Sequence, residues 1–307
     1  MTDILSDIFE TIRLRGTLYF RTDYAPPWAV TVPAYEQAAR FHLIVQGRCH
    51  VEITGGGPGA DLGPGDLMLI TGGREHILSD CAGREPAPLE EIVRRSGYDG
   101  KGVFAYGTAE PGAATQMVCG HLNFTRGADH PLLRALPPLI VMRPAERAMH
   151  PLLDDTLRLV VRRAFTDTLG AAASISRLSE VFFIETVRAS IDAHTELSRV
   201  IAAMTDAQVG RALSSIHEAP ADPWTVESLA QVAGMSRSRF AERFTELVGV
   251  APMAYVAEWR MQKALARLVE SDANVKVVAA EVGYQSAAAF TRAFVNRFGV
   301  TPTEAGG

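Results

Sequence analysis

The sequence predicts a multidomain α+β protein: an N-terminal β-barrel, a helical connector and an all-α C-terminal domain with two helix-turn-helix units. Three observations carry this. The chain has 307 residues, about two domains at roughly 100–200 residues each. From 20 to 124 it is rich in Gly and Pro, with short apolar runs between turn signals, as in a sandwich or barrel. From about 152 onward the apolar residues fall at helical spacing, and the last hundred residues contain an internal repeat. The expected domains are 1–130, 131–205 and 206–307.

Composition narrows the function classes. The chain is 47% hydrophobic and 21% charged, and 35 acids against 30 bases give a net charge of −5. A globally cationic surface is excluded, although a local basic face is not. No apolar run reaches the ~18 residues of a membrane span. The first twenty residues are interrupted by Asp3, Asp7, Glu10, Arg13 and Arg15, so no signal-peptide core is present. Cys49, Cys81 and Cys119 cannot all pair within one chain, which argues for a reducing, cytoplasmic location.

In the β region the runs 41–45, Cys49–Ile53, Leu67–Ile70 and 117–124 read as strands. If Gln46-Gly47 is a two-residue hairpin turn, Ile44 faces Cys49 and His42 faces Val51. Directly paired residues share a face. His42, Ile44, Cys49, Val51 and Ile53 then point into the barrel, with Leu43 and His50 outward. His76, at the end of its strand, can reach the same cavity. Cys119 lies on a late strand, with His121 two residues on and on the same face. Two His and two Cys around one cavity (His42, Cys49, His76, Cys119) match zinc chemistry; a small-molecule effector touching the same side chains is the alternative. His130, His150, His194 and His217 read as helix or loop residues without chemistry.

The helical segments 152–165 and 174–193 follow. The second carries Leu178, Val181, Phe182, Ile184, Val187 and Ile191 at helical spacing. Such a wide apolar face packs on the barrel, joins a second copy in a homodimer, or does both. A break at 218–223, rich in Pro and Ala, precedes the last block.

In that block two stretches align. Ala230, Gly234, Ser236, Phe240, Phe244, Gly249, Val250 and Pro252 match Ala279, Gly283, Ser286, Phe290, Phe294, Gly299, Val300 and Pro302. Each fits a helix-turn-helix. The small Ala allows close helix approach, the Gly accepts a positive φ in the turn, and the Ser is suited to cap the second helix. The two Phe at i and i+4 share its buried face. The opposite face is then free to enter a major groove. It offers Arg237, Ser238, Arg239 and Arg243 in the first unit, and Gln285, Ser286, Thr291, Arg292, Asn296 and Arg297 in the second. Between the units Pro252–Glu270 reads as one helix of roughly 27 Å, near the ~34 Å separating successive major grooves on one face of a duplex. Met261, Leu265 and Leu268 are expected to pack it between the units.

Residues 222–302 resemble the DNA-binding domain of the AraC/XylS transcription regulators. The resemblance rests on the run from Trp224 to Ala230, that from Gly234 to Phe240, Trp259-Arg260-Met261, Gly283-Tyr284-Gln285-Ser286, and the run from Phe290 to Phe294. It implies base reading from the second helix of each unit. Positions that often read bases in the family hold Ala241, Glu242, Ala287 and Ala288 here, which shifts the expected base contacts to Ser238, Arg239, Thr291 and Arg292; Gln285 is a further candidate base reader. Arg237, Arg239, Arg243 and Arg297 are expected to hold phosphates. The family's usual continuation past Pro302 to a Tyr-Arg pair is replaced by Thr303-Glu304-Ala305-Gly306-Gly307.

The segments 65–76 and 40–49 similarly resemble the second motif and the end of the first motif of the cupin barrel, so the first domain resembles the cupin sensor of one branch of these regulators. Together the resemblances imply a transcription regulator, by family precedent an activator, with double-stranded DNA, a small-molecule effector or metal and RNA polymerase as partners. Two rival readings stand beside it: a metal-dependent cupin enzyme, and a zinc-responsive sensor with a helical interaction domain. The chain has no His-x-His, Arg40 sits where a ligating Glu is expected, and no nucleophile with a nearby base is legible. The expectation is a non-enzyme.

Overall fold

The computed structural model describes residues 3–35, 38–108, 114–164, 169–270 and 273–306. The chain divides into two compact units. One comprises Leu14–Phe124 and Leu136–Ser190; the other comprises Met1–Arg13, Thr125–Ala135 and Ile191–Gly307. The expected connector 131–205 is thus shared out between the units. Two short N-terminal segments also join the C-terminal helices, because their apolar residues, among them Ile8, Ile12 and Leu132, are buried there.

Among the described residues the first unit is built on eleven strands: β1 (Arg15–Tyr24), β2 (Ala29–Val32), β3 (Ala38–Gln46), β4 (Cys49–Ile53), β5 (Gly59–Leu62), β6 (Leu67–Ile70), β7 (His76–Ser79), β8 (Ala87–Pro88), β9 (Val103–Tyr106), β10 (Thr115–Asn123) and β11 (Leu139–Met142). They form a six-stranded sheet in the order β11-β6-β3-β10-β1-β9 and a five-stranded sheet in the order β5-β4-β7-β2-β8. The core between the sheets contains Tyr24, Trp28, Val30, Ile44, Cys49, Val51, Ile53, Met68, Leu78, Phe104 and Met117.

The expected hairpin at Gln46-Gly47 is not formed. β3 pairs with β6 and β10, whereas β4 pairs with β5 and β7. The chain changes sheet at Gly47, where φ is 80° and a Cβ would stand 2.7 Å from the Ala114 carbonyl oxygen. His42, Ile44, Cys49, Val51 and Ile53 are all buried nevertheless. They meet across the core from two sheets instead of side by side in one ladder. Leu43, expected outside, is also buried. The reason is the helix Ala171–Ala189, which covers the outer face of the larger sheet. Its Phe182 ring lies 5.2 Å from Phe41, and Gly16 on β1 approaches it so closely that a Cβ would stand 2.3 Å from Ser179 Cβ. The wide apolar face of this helix is used on the sheet, with Ile175, Phe182, Phe183 and Val187 buried. At full burial each contributes about 1.5–3 kcal/mol.

The second unit is helical. Its central element is the helix Pro252–Glu270, whose Tyr255, Val256, Trp259, Met261, Ala264, Leu265 and Leu268 are buried. The expected packing of Met261, Leu265 and Leu268 is present, in one cluster with Val278, Ala279, Phe290 and Phe294. No helix of the described residues is long and apolar enough to cross a membrane.

Candidate functional site

Two helix pairs carry the repeated motif: Val226–Ala233 with Arg237–Val248, and Val275–Glu281 with Ala287–Phe298. The first pair begins at Thr225, whose side chain accepts a hydrogen bond from the Ser228 amide at 3.0 Å. Asn274 opens the second by accepting from the Lys276 amide at 2.9 Å. Gly283 adopts a φ of 84° in the turn, where a Cβ would lie 2.5 Å from the Ala221 carbonyl oxygen; this position admits no side chain. Ser286 caps the reading helix of the second unit through the Ala289 amide. Ser236 occupies the same position in the first unit with extended backbone but makes no side-chain cap bond, so its expected capping role is not fulfilled. Phe240 and Phe244 are fully buried with ring centroids 5.5 Å apart, and Phe290 and Phe294 repeat this at 5.6 Å.

With the phenylalanines inward, Arg237, Ser238 and Arg239 are exposed at the start of the first reading helix, and Gln285, Ser286 and Arg292 are exposed on the second; Thr291 is half-buried. Arg243 and Arg297 differ. Arg243 is hydrogen-bonded to Asp206 at 2.6 Å. Asp206 also accepts from the Gln208 and Val209 amides, and these bonds outweigh its burial and hold its carboxyl below the usual range. Arg297 is ion-paired with Asp129. Two of the four arginines expected on phosphates therefore have carboxylate partners of their own chain.

Asp129 belongs to the segment Thr125–Ala135, which is tied into the helical unit at several points. Gln262 donates to the Gly127 carbonyl at 3.1 Å. Arg134 bridges Asp129 at 2.8 Å and Glu258 at 2.9 Å. His130, read from sequence as inert, is buried in a polar chain. Its Nδ1 accepts from the Leu132 amide, which leaves Nε2–H to donate to the Tyr255 hydroxyl at 3.1 Å. Tyr255 in turn donates to Nε2 of His217 at 2.7 Å, and His217 Nδ1–H donates to Asp7 at 2.7 Å. Lys263 closes the chain on the other Asp7 oxygen at 2.8 Å. Burial lowers the pKa of both imidazoles, and for His217 it outweighs the opposing pull of Asp7. Burial opposes ionisation of Asp7, but the bonds from His217 and Lys263 win and lower its pKa. No sequence signal marked this chain, because Asp7, His130, His217 and Tyr255 lie more than thirty positions apart and meet only in the fold.

In the barrel unit a small cavity is lined by Phe20, Thr22, Tyr24, Val30, Val32, His42, Leu78, Leu89, Met117 and Cys119. Three of the four expected metal ligands meet beside it, but as a hydrogen-bonded chain. His42 Nδ1 stands 3.0 Å from Cys119 Sγ, His42 Nε2 stands 3.3 Å from His76 Nε2, and His76 Nδ1 stands 3.0 Å from the Arg74 carbonyl. One order of protons satisfies all of them: Cys119 S–H to His42, His42 Nε2–H to His76, and His76 Nδ1–H to the carbonyl. Burial favours this neutral form. It lowers His42 well below its usual range and His76 to about 4, and it raises the Cys119 thiol and that of Cys49, the latter to about 12. His42 turns opposite ring nitrogens to its two neighbours, so no single point lies within bonding reach of all three. Cys49 points its sulfur at the His50 carbonyl, at 3.6 Å. Among the described residues no group of three or more His, Cys, Asp or Glu is arranged to hold a metal ion. The donor set does not fit zinc, and the expectation of a His42, Cys49, His76, Cys119 centre is corrected.

Comparison with known proteins is consistent with both halves. Residues 3–192 match the family model described as cupin, and residues 229–306 match that described as helix-turn-helix domain. The HTH-type transcriptional regulator AlkR of Acinetobacter baylyi is 31% identical, with 98% of this chain and 97% of that one covered. A putative AraC-like transcription regulator of Streptomyces antibioticus is 30% identical, with the same two shares covered. The chain belongs to the AraC-like transcription regulators that carry an N-terminal cupin domain. Members of this family bind DNA through the helix-turn-helix domain and regulate transcription, and this AraC-like regulator does the same. Among solved structures, wild-type ToxT of Vibrio cholerae with a bound unsaturated fatty acid aligns over 95% of this chain and 94% of that one, at 12% identity and a TM-score of 0.39.

Proposed function

We propose that this regulator reads DNA with the two helices Arg237–Val248 and Ala287–Phe298, and that the barrel cavity receives a small organic effector. The observation that carries the first part is the repeat in three dimensions. Each reading helix buries a Phe pair on one side and exposes an arginine-bearing face on the other. The helix Pro252–Glu270, 19 residues or about 28 Å at 1.5 Å per residue, suits two units in successive major grooves. Ser238, Arg239, Gln285, Thr291 and Arg292 are the proposed base readers. Arg237 holds phosphate from the start, and Arg243 and Arg297 do so on exchanging their carboxylates for the backbone.

Fluorescence anisotropy with labelled duplexes tests this. The triple variant R237A/R239A/R292A keeps the fold and loses at least a hundredfold in affinity at ~0.1 M salt; unchanged affinity contradicts the assignment.

The effector reading is supported by the cavity's apolar wall and the buried, unpartnered Thr22 hydroxyl on it. Such a concave, mostly apolar site with few polar groups is the usual form of a small-molecule pocket. To regulate, the effector must favour one arrangement of the chain over another. A homodimer is supported by Leu152 and Leu159, both exposed on the helix Pro151–Ala164 and seven positions apart, hence on one face. Light scattering decides it, with twice the chain mass expected. Family membership supports activation through RNA polymerase, a cytoplasmic location and a role without enzymatic activity.

A further inference from the structure

The inner face of the larger sheet is graded in polarity. Three consecutive inward-facing pairs join β10 to β3: Met117 opposite Ile44, Cys119 opposite His42, and His121 opposite Arg40. Residues paired in this way share a face. The first pair is apolar, the second is neutral and polar, and the third carries a guanidinium. Met117, Cys119 and His42 line the cavity. Arg40 and His121 therefore continue its wall, about 7 Å further along the strands at ~3.4 Å per residue.

Arg40 is only 8% exposed, and its Nη1 atom is buried without a hydrogen-bond partner. Among the described residues it forms no ion pair. Its guanidinium carbon stands 5.9 Å from the centre of the Tyr35 ring, which offers a weak electrostatic contact and no acceptor. A buried, unpaired charge is costly, by several kcal/mol for an isolated ion. Such a group is retained without a partner where a ligand supplies one.

We propose that Arg40, with His121 beside it, is the anion-binding end of the sensor cavity, and that the effector is a short organic monocarboxylate whose apolar body lies between Phe20, Tyr24, Val30, Leu78 and Met117. This rests on the reading of the cavity as the effector site and names its ligand class. The planar guanidinium fork matches a carboxylate with two parallel hydrogen bonds. The charge count favours a monoanion. Burial and the Arg40 charge itself keep His42, His76 and His121 below their usual pKa, so Arg40 is the one full positive charge of the cluster. The ligand is a short one because its body must fit between the two sheets, on β1, β2, β3, β7 and β10. Thr22, buried and unpartnered on the cavity wall, suits a ligand with a hydroxyl or carbonyl on its body.

The test is calorimetric titration of the full-length protein with hexanoate, hexan-1-ol and inorganic phosphate at pH 7.5. Hexanoate is expected to bind at least tenfold more tightly than hexanol, and phosphate more weakly than either. In Arg40→Met the two six-carbon ligands converge on the alcohol's affinity, and His121→Gln loses part of the preference. Equal binding of hexanol and hexanoate by the wild-type protein overturns the anion site and leaves the cavity reading intact. A tenfold preference that survives in Arg40→Met also overturns it. Failure of both six-carbon ligands to bind removes the cavity reading together with its anionic end. Phosphate binding as tightly as hexanoate overturns the amphipathic ligand and shows a bare anion site. The wild-type ratios decide the matter even if the Arg40 variant does not fold.

Discussion

Asp129, on the segment Thr125–Ala135, is ion-paired with Arg297 on the second reading helix, and the same carboxylate accepts from Arg134 at 2.8 Å. One acidic side chain thus occupies a cation of the second reading helix. A phosphate has to displace that carboxylate to gain Arg297. Asp129→Asn is therefore expected to tighten DNA binding several-fold and to steepen the salt dependence of log K by about one phosphate's worth, a slope change near −0.9. Titrations at several salt concentrations measure both; a variant that binds like the wild type assigns the pair to stability alone.

The two classes of proposed contact separate by specificity. Arg292→Ala is expected to cost ~1–3 kcal/mol at one base position while relaxing selectivity there. Arg237→Ala is expected to weaken binding about equally on every sequence. Affinities on a panel of single-base operator variants distinguish them.

The helical repeat was legible because it is written locally. Ala230, Gly234, Phe240 and Phe244 specify approach, turn and core within fifteen residues, and Ala279, Gly283, Phe290 and Phe294 do so again. The inward set His42, Ile44, Cys49, Val51 and Ile53 was also legible, because strand alternation fixes faces whichever sheet a strand joins. The strand pairing was not. A Gly-containing two-residue gap serves a hairpin and a change of sheet alike, and only the long-range ladders β3–β10 and β4–β7 decide. The metal set failed for a related reason. Residue type and face put His42, His76 and Cys119 together, but the direction of each lone pair depends on side-chain torsions that spacing does not encode. The chain of Asp7, His217, Tyr255 and His130 left no local pattern at all.

Tyr255 connects two buried imidazoles, so Tyr255→Phe leaves His217 Nε2 and His130 Nε2–H without their shared partner. The expected loss is about 1–3 kcal/mol, measured by urea unfolding with an unchanged slope. A neutral outcome shows that water replaces the hydroxyl.

Acid is expected to destabilise the fold through its buried histidines. His42, His76, His130 and His217 have folded pKa values below the ~6.5 of the unfolded chain, with His76 near 4. Below about pH 6.5 the unfolded state binds protons that the folded state refuses. Stability is thus fully present above 6.5 and falls as the pH drops toward 4, by up to roughly 1.4 kcal/mol per pH unit for each such histidine. Denaturant midpoints at pH 7.5, 6.0 and 5.0 check the sign. In His76→Gln the decline is shallower.

Phe294 is fully buried against Phe290 and Phe298. Phe294→Ala is expected to cost ~3–5 kcal/mol and to disorder the second reading helix, seen as lost amide protection there.

Selection of bound duplexes from a random pool addresses the central claim most directly. Two reading helices on one stiff connector predict enrichment of a bipartite site whose halves are centred one helical turn, about 10–10.5 base pairs, apart. A pool that stays random at low ionic strength, or a single short site with no second half, contradicts it.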